Sequence, residues 1–173
     1  MRGSRVSSLF ICVFLPLVTW NDPVTGWGQE ADAPRQETAD RAKGPWALIS
    51  ESGPSSRSYY ATAYDSAREK LVLFGGRHID IDSWETVLNA DTWEWDGTEW
   101  EQVSTSGPAR SRHAMTYDSR RERVVLFGGS ETSDTWEWDG EEWKEVSTDG
   151  PQARWGCAMA YDSVRGKAVL FGG

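Results

Sequence analysis

The sequence predicts an all-β fold built from four-stranded antiparallel sheets of the kind that forms one blade of a propeller. The first observation behind this prediction is a motif, Y-D-S-x-R-x-[K/R]-x-V-L-F-G-G, that occurs at 64–76, 117–129 and 161–173. The second is the heptad DTWEWDG, which follows the first two copies at 91–97 and 134–140. The third is the period: the phenylalanines of the motif are separated by 53 and then 44 residues. That length is typical of a propeller blade and not of the paired helices of a solenoid.

The first half of the repeat unit predicts two strands joined by a turn. In HAMTYD, residues 113–118, the larger side chains alternate, as in a half-buried strand. Asp-Ser-x-Arg predicts a turn, because the Asp side chain can accept hydrogen bonds from the backbone just after it. VVLFGG is a continuous apolar run, which indicates a strand covered on both faces.

The heptad predicts the third strand and a hairpin into the fourth. Trp93 and Trp95 are two residues apart and share one face of a strand, with Thr92 and Glu94 on the other. Asp-Gly predicts a tight turn of the primed type, whose central residues need positive φ. The fourth strand, EWEQV or EWKEV, then pairs back. We expect the repeated tryptophans to form the core between blades and the acidic residues of the heptad to have turn and surface roles. The alternatives are a sugar-stacking platform formed by the tryptophans and a metal-binding patch formed by the acidic residues.

These residues resemble the kelch repeat, as found in kelch-type propellers such as the central domain of galactose oxidase. The resemblance rests on the Gly-Gly that closes the second strand, the tryptophan that opens the fourth strand, and an arginine before the first strand (Arg57, Arg110, Arg154). It covers residues 45–173, although tryptophan stands where the family more often has tyrosine in strand three. The resemblance implies a ring of six or seven blades around a central channel.

The chain by itself holds about two complete blades and two partial ones. It carries the last strand of one blade, two whole units, and the first two strands of a fourth unit. A half-blade exposes unpaired backbone and an apolar face. We therefore expect the sequence to be a truncated part of a longer propeller. The alternative is a short chain that closes a ring by self-association.

The first 28 residues have the pattern of a secretory signal peptide, with two arginines ahead of a short apolar run from Leu9 to Val18. An uncleaved membrane anchor is the alternative. Residues 29–44 are polar and free of aromatics, which predicts a disordered linker before the propeller at 45–173. The sequence therefore predicts an exported protein, secreted, periplasmic or at the cell surface. Cleavage after Gly28 would leave Cys157 as the one cysteine.

The charge balance argues against nucleic acid as a partner. The formal net charge is −9, and removal of the signal peptide would make it −10. Binding to phosphate backbones depends on clustered lysine and arginine, which an acidic chain of this composition lacks.

Residues that break the repeat are the candidates for binding. The first unit has 14 residues, 77–90, where the second has four, and this insertion contains His78, Asp80, Asp82 and Trp84. We interpret it as a solvated loop, since three loosely spaced ligands are weak evidence when set against the known calcium and zinc patterns. Contact of His78, Asp80 and Asp82 with a divalent cation is the alternative. No metal and no cofactor are predicted. Trp84 is the strongest candidate, because it is an aromatic side chain in a polar segment.

The residues just before each first strand also vary. Ser58, Ser111 and Trp155 are equivalent, and so are Tyr59, Arg112 and Gly156. Arg112 and Trp155 are therefore candidates for a binding face, since arginine and aromatic anchors are typical of interfaces. Packing against a neighbouring blade is the alternative for both. His113 is expected to be a packed strand residue.

The sequence shows no catalytic constellation. It has two histidines, no G-x-S-x-G elbow and no Cys/His pair at a recognisable spacing. We predict no catalytic residues and an exported, non-catalytic scaffold that binds another protein or a glycan. The alternative is a fragment of a carbohydrate-active propeller enzyme of the sugar oxidase or sugar isomerase type, as the resemblance allows.

Overall fold

The computed structural model describes residues 9–12 and 46–173, and in this part of the chain every regular element is a β-strand. The all-β prediction is confirmed. The linker predicted at 29–44 and most of the predicted signal peptide lie outside the described residues. Within the described part, no helix is long and apolar enough to cross a membrane.

The first complete sheet is formed by the first repeat unit. Its strands are β3 (Ala61–Asp65), β4 (Lys70–Phe74), β7 (Thr92–Trp95) and β8 (Trp100–Ser104), paired antiparallel in that order. Between β4 and β7 the chain forms a separate hairpin of β5 (Arg77–Ile79) and β6 (Thr86–Leu88).

The second unit repeats this sheet without the extra hairpin. Its strands are β9 (Ala114–Asp118), β10 (Arg123–Phe127), β11 (Thr135–Trp138) and β12 (Trp143–Ser147), again paired antiparallel in order. The third unit contributes the pair β13 (Ala158–Asp162) and β14 (Lys167–Phe171). Two complete blades and the first half of a third are therefore present, as the repeat predicts.

At the other end, β1 (Leu9–Cys12) pairs antiparallel with β2 (Trp46–Ser50). β2 is the fourth strand that the partial repeat predicts before Pro54. β1 lies within the apolar run that the sequence analysis assigns to the signal peptide. Export stays a prediction.

The first strands of successive units lie side by side at the centre. β9 packs between β3 and β13, so the sheets are arranged like neighbouring blades with strand one innermost. For this reason all five residues of β9 are buried, and the prediction of a half-buried strand is wrong for the middle blade. β10 is covered on both faces as predicted, since Val124 and Leu126 on one face and Val125 and Phe127 on the other are all buried.

The core between the two complete blades joins aromatic side chains from both. The Phe74 ring of blade one lies 4.5 Å from the Trp143 ring of blade two, centroid to centroid. The Trp143 indole Nε1–H donates to Thr92 Oγ1 across the same boundary, at 2.9 Å. Trp138, fully buried, donates to Glu94 Oε1 of the first blade at 3.2 Å. The packing role predicted for these tryptophans is thereby confirmed at this boundary.

The hairpin between strands three and four exists, but its predicted turn type is wrong. Four residues separate Trp95 from Trp100, and of these only Gly97 has positive φ. Asp96 Oδ1 accepts hydrogen bonds from the backbone N–H groups of Thr98 and Glu99. The turn is therefore closed by the Asp side chain and not by two left-handed residues.

The antiparallel order places two sets of loops at one end of the blades. Strand one of each blade begins at this end, strand two finishes there, and strand three begins there. The connections from strand two to three, and from strand four to the next strand one, therefore share this face. We call it the loop face; it carries the β5–β6 hairpin and the residues just before β3, β9 and β13.

Candidate functional site

The first acidic residue of the heptad is held inside the blade. Asp91 accepts two hydrogen bonds from Arg57, at 2.6 and 2.8 Å, and one from the Trp93 indole at 2.7 Å. Burial alone would raise the pKa of Asp91, but the hydrogen bonds from Arg57 and Trp93 outweigh it and lower that pKa. Arg57 also donates to the carbonyl of Gly75, which ties the Gly-Gly pair to the heptad.

The second copy repeats this arrangement. Arg110 donates to both carboxylate oxygens of Asp134, at 2.9 and 2.8 Å, and to the carbonyl of Gly128 at 2.9 Å. The hydrogen bond from Arg110 is the main reason that the pKa of Asp134 lies far below its ordinary value. The arginine, the Gly-Gly pair and the heptad of one unit therefore form one structural cluster.

Glu94 of the first heptad is also internal, so the surface role expected for it is wrong. Its side chain is buried and accepts hydrogen bonds from Arg68 and from Trp138 of the next blade. Arg68 in turn binds Asp65 at 2.7 Å, which fixes the Asp-Ser-x-Arg turn to the heptad. The carboxylates of the first heptad are thus occupied by partners within the protein, which argues against a metal-binding patch there. Trp95 is buried, which argues against a sugar platform.

The loop face carries a different cluster, a stack of alternating arginine and aromatic side chains. The Arg112 guanidinium carbon lies 4.6 Å from the centre of the Tyr59 ring and 4.6 Å from the centre of the Trp155 ring. The Arg77 guanidinium carbon lies 4.7 Å from the same Tyr59 ring. We call Arg77, Tyr59, Arg112 and Trp155 the arginine–aromatic stack. It joins residues from three successive units through cation–π contacts.

The backbone beneath the stack is linked from unit to unit. The Arg112 N–H donates to the Tyr59 carbonyl at 2.8 Å, and the Gly156 N–H donates to the Arg112 carbonyl at 3.0 Å. These three equivalent residues all have left-handed backbone, with φ of 58° at Tyr59, 62° at Arg112 and 72° at Gly156. Such a conformation disfavours side chains other than glycine, and it clusters at functional sites.

The stack is partly exposed and its arginines have no acidic partner among residues 46–173. The Tyr59 and Trp155 side chains are about half exposed, at 47% and 55%. The ion pairs of the described part do not include Arg77 or Arg112. A guanidinium held by its faces against rings still presents its N–H groups at the edge, where a planar anion can bind with two hydrogen bonds.

The predicted binding residues of the insertion lie on the β5–β6 hairpin, which the sequence analysis did not predict. His78 Nδ1 lies 3.1 Å from Asn89 Oδ1 near the base of the hairpin. Asp80 Oδ1 accepts hydrogen bonds from the N–H groups of Asp82 and Ser83, which lower the pKa of Asp80. Trp84 at the tip has left-handed backbone and is 80% exposed.

The hairpin is joined to the arginine–aromatic stack at its base. Ser58 and Arg77 exchange two backbone hydrogen bonds, of 2.9 and 2.8 Å, and Arg77 is both the first residue of β5 and a member of the stack. Of the predicted residues, the structure brings together Arg112 and Trp155. His78, Asp80, Asp82 and Trp84 belong to the adjacent hairpin.

The sequence analysis missed Tyr59 and Arg77. Tyr59 is the equivalent of Arg112, so its departure from the repeat was a visible signal. Arg77 follows the Gly-Gly pair at the position that Ser130 has in the second unit, so its departure from the repeat was a signal of the same kind. Among the described residues, no three His, Cys, Asp or Glu side chains are placed to hold a metal ion.

His113, which precedes β9, is a packed residue as expected. Its ring is buried and makes an edge contact with Phe74, with ring centroids 5.5 Å apart. Burial, helped by the neighbouring Arg110 charge, lowers the pKa of His113 to about 3. This neutral, buried imidazole is part of the core and does not belong to the loop face.

Comparison with known proteins adds no family assignment. No protein-family model matches the chain, and the search of curated proteins returned no match.

Proposed function

We propose that this chain forms blades of an exported, non-catalytic kelch-type propeller that acts as a scaffold and binds a protein or a glycan on its loop face. The observation that carries the proposal is Arg112, which is held between two half-exposed rings and has no carboxylate partner in the described part of the chain. The equivalent repeat arginines Arg57 and Arg110, by contrast, are each paired with an aspartate of their own unit. Export and the kelch resemblance rest on the sequence motifs.

Two further features support a binding role. Aromatic and arginine side chains are the residues that carry most binding energy at interfaces. Left-handed backbone at Tyr59 and Arg112 holds both side chains in place at a cost in local stability, as expected where geometry serves recognition.

The β5–β6 hairpin adds apolar surface to the same face. Its exposed side chains include Ile79, Ile81 and Trp84. An isolated two-stranded hairpin is only marginally stable. Exposed apolar side chains that lie close together, as on this hairpin, are typical of surfaces that bind a partner.

The test is a paired screen of the full chain on arrays of glycans and peptides. The wild type is compared with Arg112→Ala, and with Arg123→Ala as the matched control. Arg123 begins β10 at the opposite end of the blade and also has no ion pair among the described residues. We expect ligands that bind the wild type and the control but are lost with Arg112→Ala.

Binding that survives Arg112→Ala at every ligand would contradict the proposal. Turnover of a sugar by oxidation or isomerisation would instead favour the carbohydrate enzyme of the alternative.

A further inference from the structure

We propose that the ligand of the arginine–aromatic stack is a pyranose sugar that carries a single carboxylate, such as a uronic acid residue at the end of a glycan. This inference rests on the proposed binding function and names the chemistry of its ligand. It combines three observations: two arginines without acidic partners among residues 46–173, a half-exposed indole beside them, and an acidic chain around them.

The carboxylate is the group that the arginines select. Arg112 contacts the rings of Tyr59 and Trp155, with its guanidinium carbon 4.6 Å from the centre of each, and these contacts restrict its side chain. Its N–H groups have no carboxylate partner among residues 46–173. A carboxylate matches the N–H groups of a guanidinium with two parallel hydrogen bonds. Arg77, on the same Tyr59 ring, adds a second positive charge near the same place.

The sugar ring is the group that Trp155 selects. This indole is 55% exposed while one part of it is held by the Arg112 contact. An exposed indole that is fixed in orientation offers a flat apolar surface, onto which the C–H face of a pyranose packs. The Trp155 ring centre lies 4.6 Å from the Arg112 guanidinium carbon, so a sugar held by its carboxylate on Arg112 is next to this surface.

The overall charge selects a ligand with few negative groups. The chain has a formal net charge of −9, and repulsion from the rest of the surface disfavours an extended polyanion. One carboxylate can be neutralised locally by Arg112 and Arg77. A protein partner needs a wider surface than four side chains, since specific interfaces bury about 800 Å² on each side.

The experiment is an NMR titration of the full ¹⁵N-labelled chain with methyl glucuronide, methyl galacturonide, their uncharged methyl esters, and the parent methyl glucoside and methyl galactoside. The ester keeps the shape of the acid and removes its charge. The indole signal of Trp155 is assigned by its loss in Trp155→Phe. We expect saturable shifts of that signal with at least one uronide, and at least tenfold weaker binding of its ester.

Variants locate the site. Arg112→Ala and Arg112→Lys should each weaken uronide binding at least tenfold, because lysine cannot reproduce the stacked, bidentate geometry. Arg123→Ala should leave the dissociation constant unchanged. Trp155→Ala should weaken binding while the signals of the buried indoles Trp138 and Trp143 stay in place, which shows that the fold is kept.

Three results would overturn the inference. The first is equal binding of acid and ester, and the second is no shift with any sugar while array ligands still bind through Arg112; in both, the proposed binding function survives. The third is tighter binding of a short aspartyl or glutamyl peptide than of any uronide at the same site, which would assign the stack to acidic peptides. The proposed function itself would be contradicted by a different result, namely array binding that Arg112→Ala does not change.

Discussion

At the scale of single residues, the arginines of this chain make two kinds of contact. Arg57 and Arg110 are buried and each binds both an aspartate and a glycine carbonyl. Arg112 lies two residues after Arg110, yet it binds rings and has no acidic partner among residues 46–173. The repeat explains the first kind, because the arginine recurs in every unit. The second kind is specific to one unit, which is the reason for assigning it to recognition.

Removal of a buried arginine should be costly. Arg110→Ala leaves Asp134, whose side chain is 18% exposed, without its bidentate partner. Breaking a buried ion pair from one side typically costs about 3–5 kcal/mol. We expect a loss of that size in the free energy of unfolding, measured by urea denaturation.

The matched control is Arg165→Ala, since Arg165 pairs with Asp162 while its own side chain is 74% exposed. Exposed pairs contribute about 0–1 kcal/mol. Equal losses for the two variants would contradict the structural role given to Arg110.

His113 should make stability depend on pH. Its folded pKa of about 3 lies below its ordinary value of 6.5, so only the unfolded chain takes up the proton between those values. Stability from this residue is therefore complete above pH 6.5 and is lost as the pH falls toward 3, with a slope of up to about 1.4 kcal/mol per pH unit. Urea unfolding between pH 5 and 7 measures the slope.

His113→Gln provides the comparison, because glutamine does not titrate in this range. The variant should show a flatter dependence between pH 5 and 7, where the low pKa values of Asp118 and Asp134 keep both ionised in the folded protein. An unchanged slope would show that His113 is not the group responsible.

At the scale of elements, the sequence predicts the strands well because their signals are local. The alternation, the apolar run and the Asp-Ser-x-Arg turn each depend on a few neighbouring residues, and the turn forms as predicted, with Asp65 Oδ1 accepting from the N–H groups of Ala67 and Arg68. The β5–β6 hairpin was not predicted, since a single copy of an insertion has no repeat to align with. Its pairing depends on backbone contacts such as those between Ser58 and Arg77, which leave no pattern in the sequence.

The hairpin tip and the blade core should respond very differently to truncation. Trp84 is 80% exposed, whereas Trp143 is 7% exposed and packs on Phe74. Trp84→Ala should change the free energy of unfolding by less than about 0.5 kcal/mol. Trp143→Ala should lower it by about 3–5 kcal/mol.

Both variants are measured by denaturant unfolding, and Trp84→Ala is also placed on the glycan and peptide arrays. Loss of an array ligand at unchanged stability would assign Trp84 to binding. Full retention of every ligand would remove Trp84 from the candidate site and leave the arginine–aromatic stack as the binding element.

At the scale of the whole molecule, the order of the blades was predictable and the loop-face site was only partly so. The period and the Gly-Gly pairs indicate how many strands form each sheet. The approach of Tyr59, Arg112 and Trp155 depends on how three units sit beside one another, with β9 between β3 and β13. In the sequence Tyr59 and Trp155 are about two units apart, although both rings contact Arg112 in the structure. Their common position before strand one was the available signal, and it named Arg112 and Trp155 as candidates.

The repeated heptads and the tryptophans that follow them hold neighbouring blades together, and for this reason we propose recognition at the loop face and not at the heptads. The hydrogen bond from the Trp143 indole to Thr92 Oγ1 crosses that boundary at 2.9 Å, and both side chains are buried. The pair permits a double-mutant cycle in which Thr92→Val and Trp143→Phe each remove one hydrogen-bonding partner. The packing lost when the indole becomes a phenyl ring is common to the single and the double variant, so it cancels in the coupling.

The measurement is the coupling free energy from urea unfolding of the wild type, the two single variants and the double variant. A buried hydrogen bond of this type contributes about 0.5–1.5 kcal/mol, and we predict a coupling in that range. A coupling indistinguishable from zero would contradict the claim, because it would mean that the hydrogen bond from Trp143 to the heptad of the first blade does not stabilise the contact between the blades.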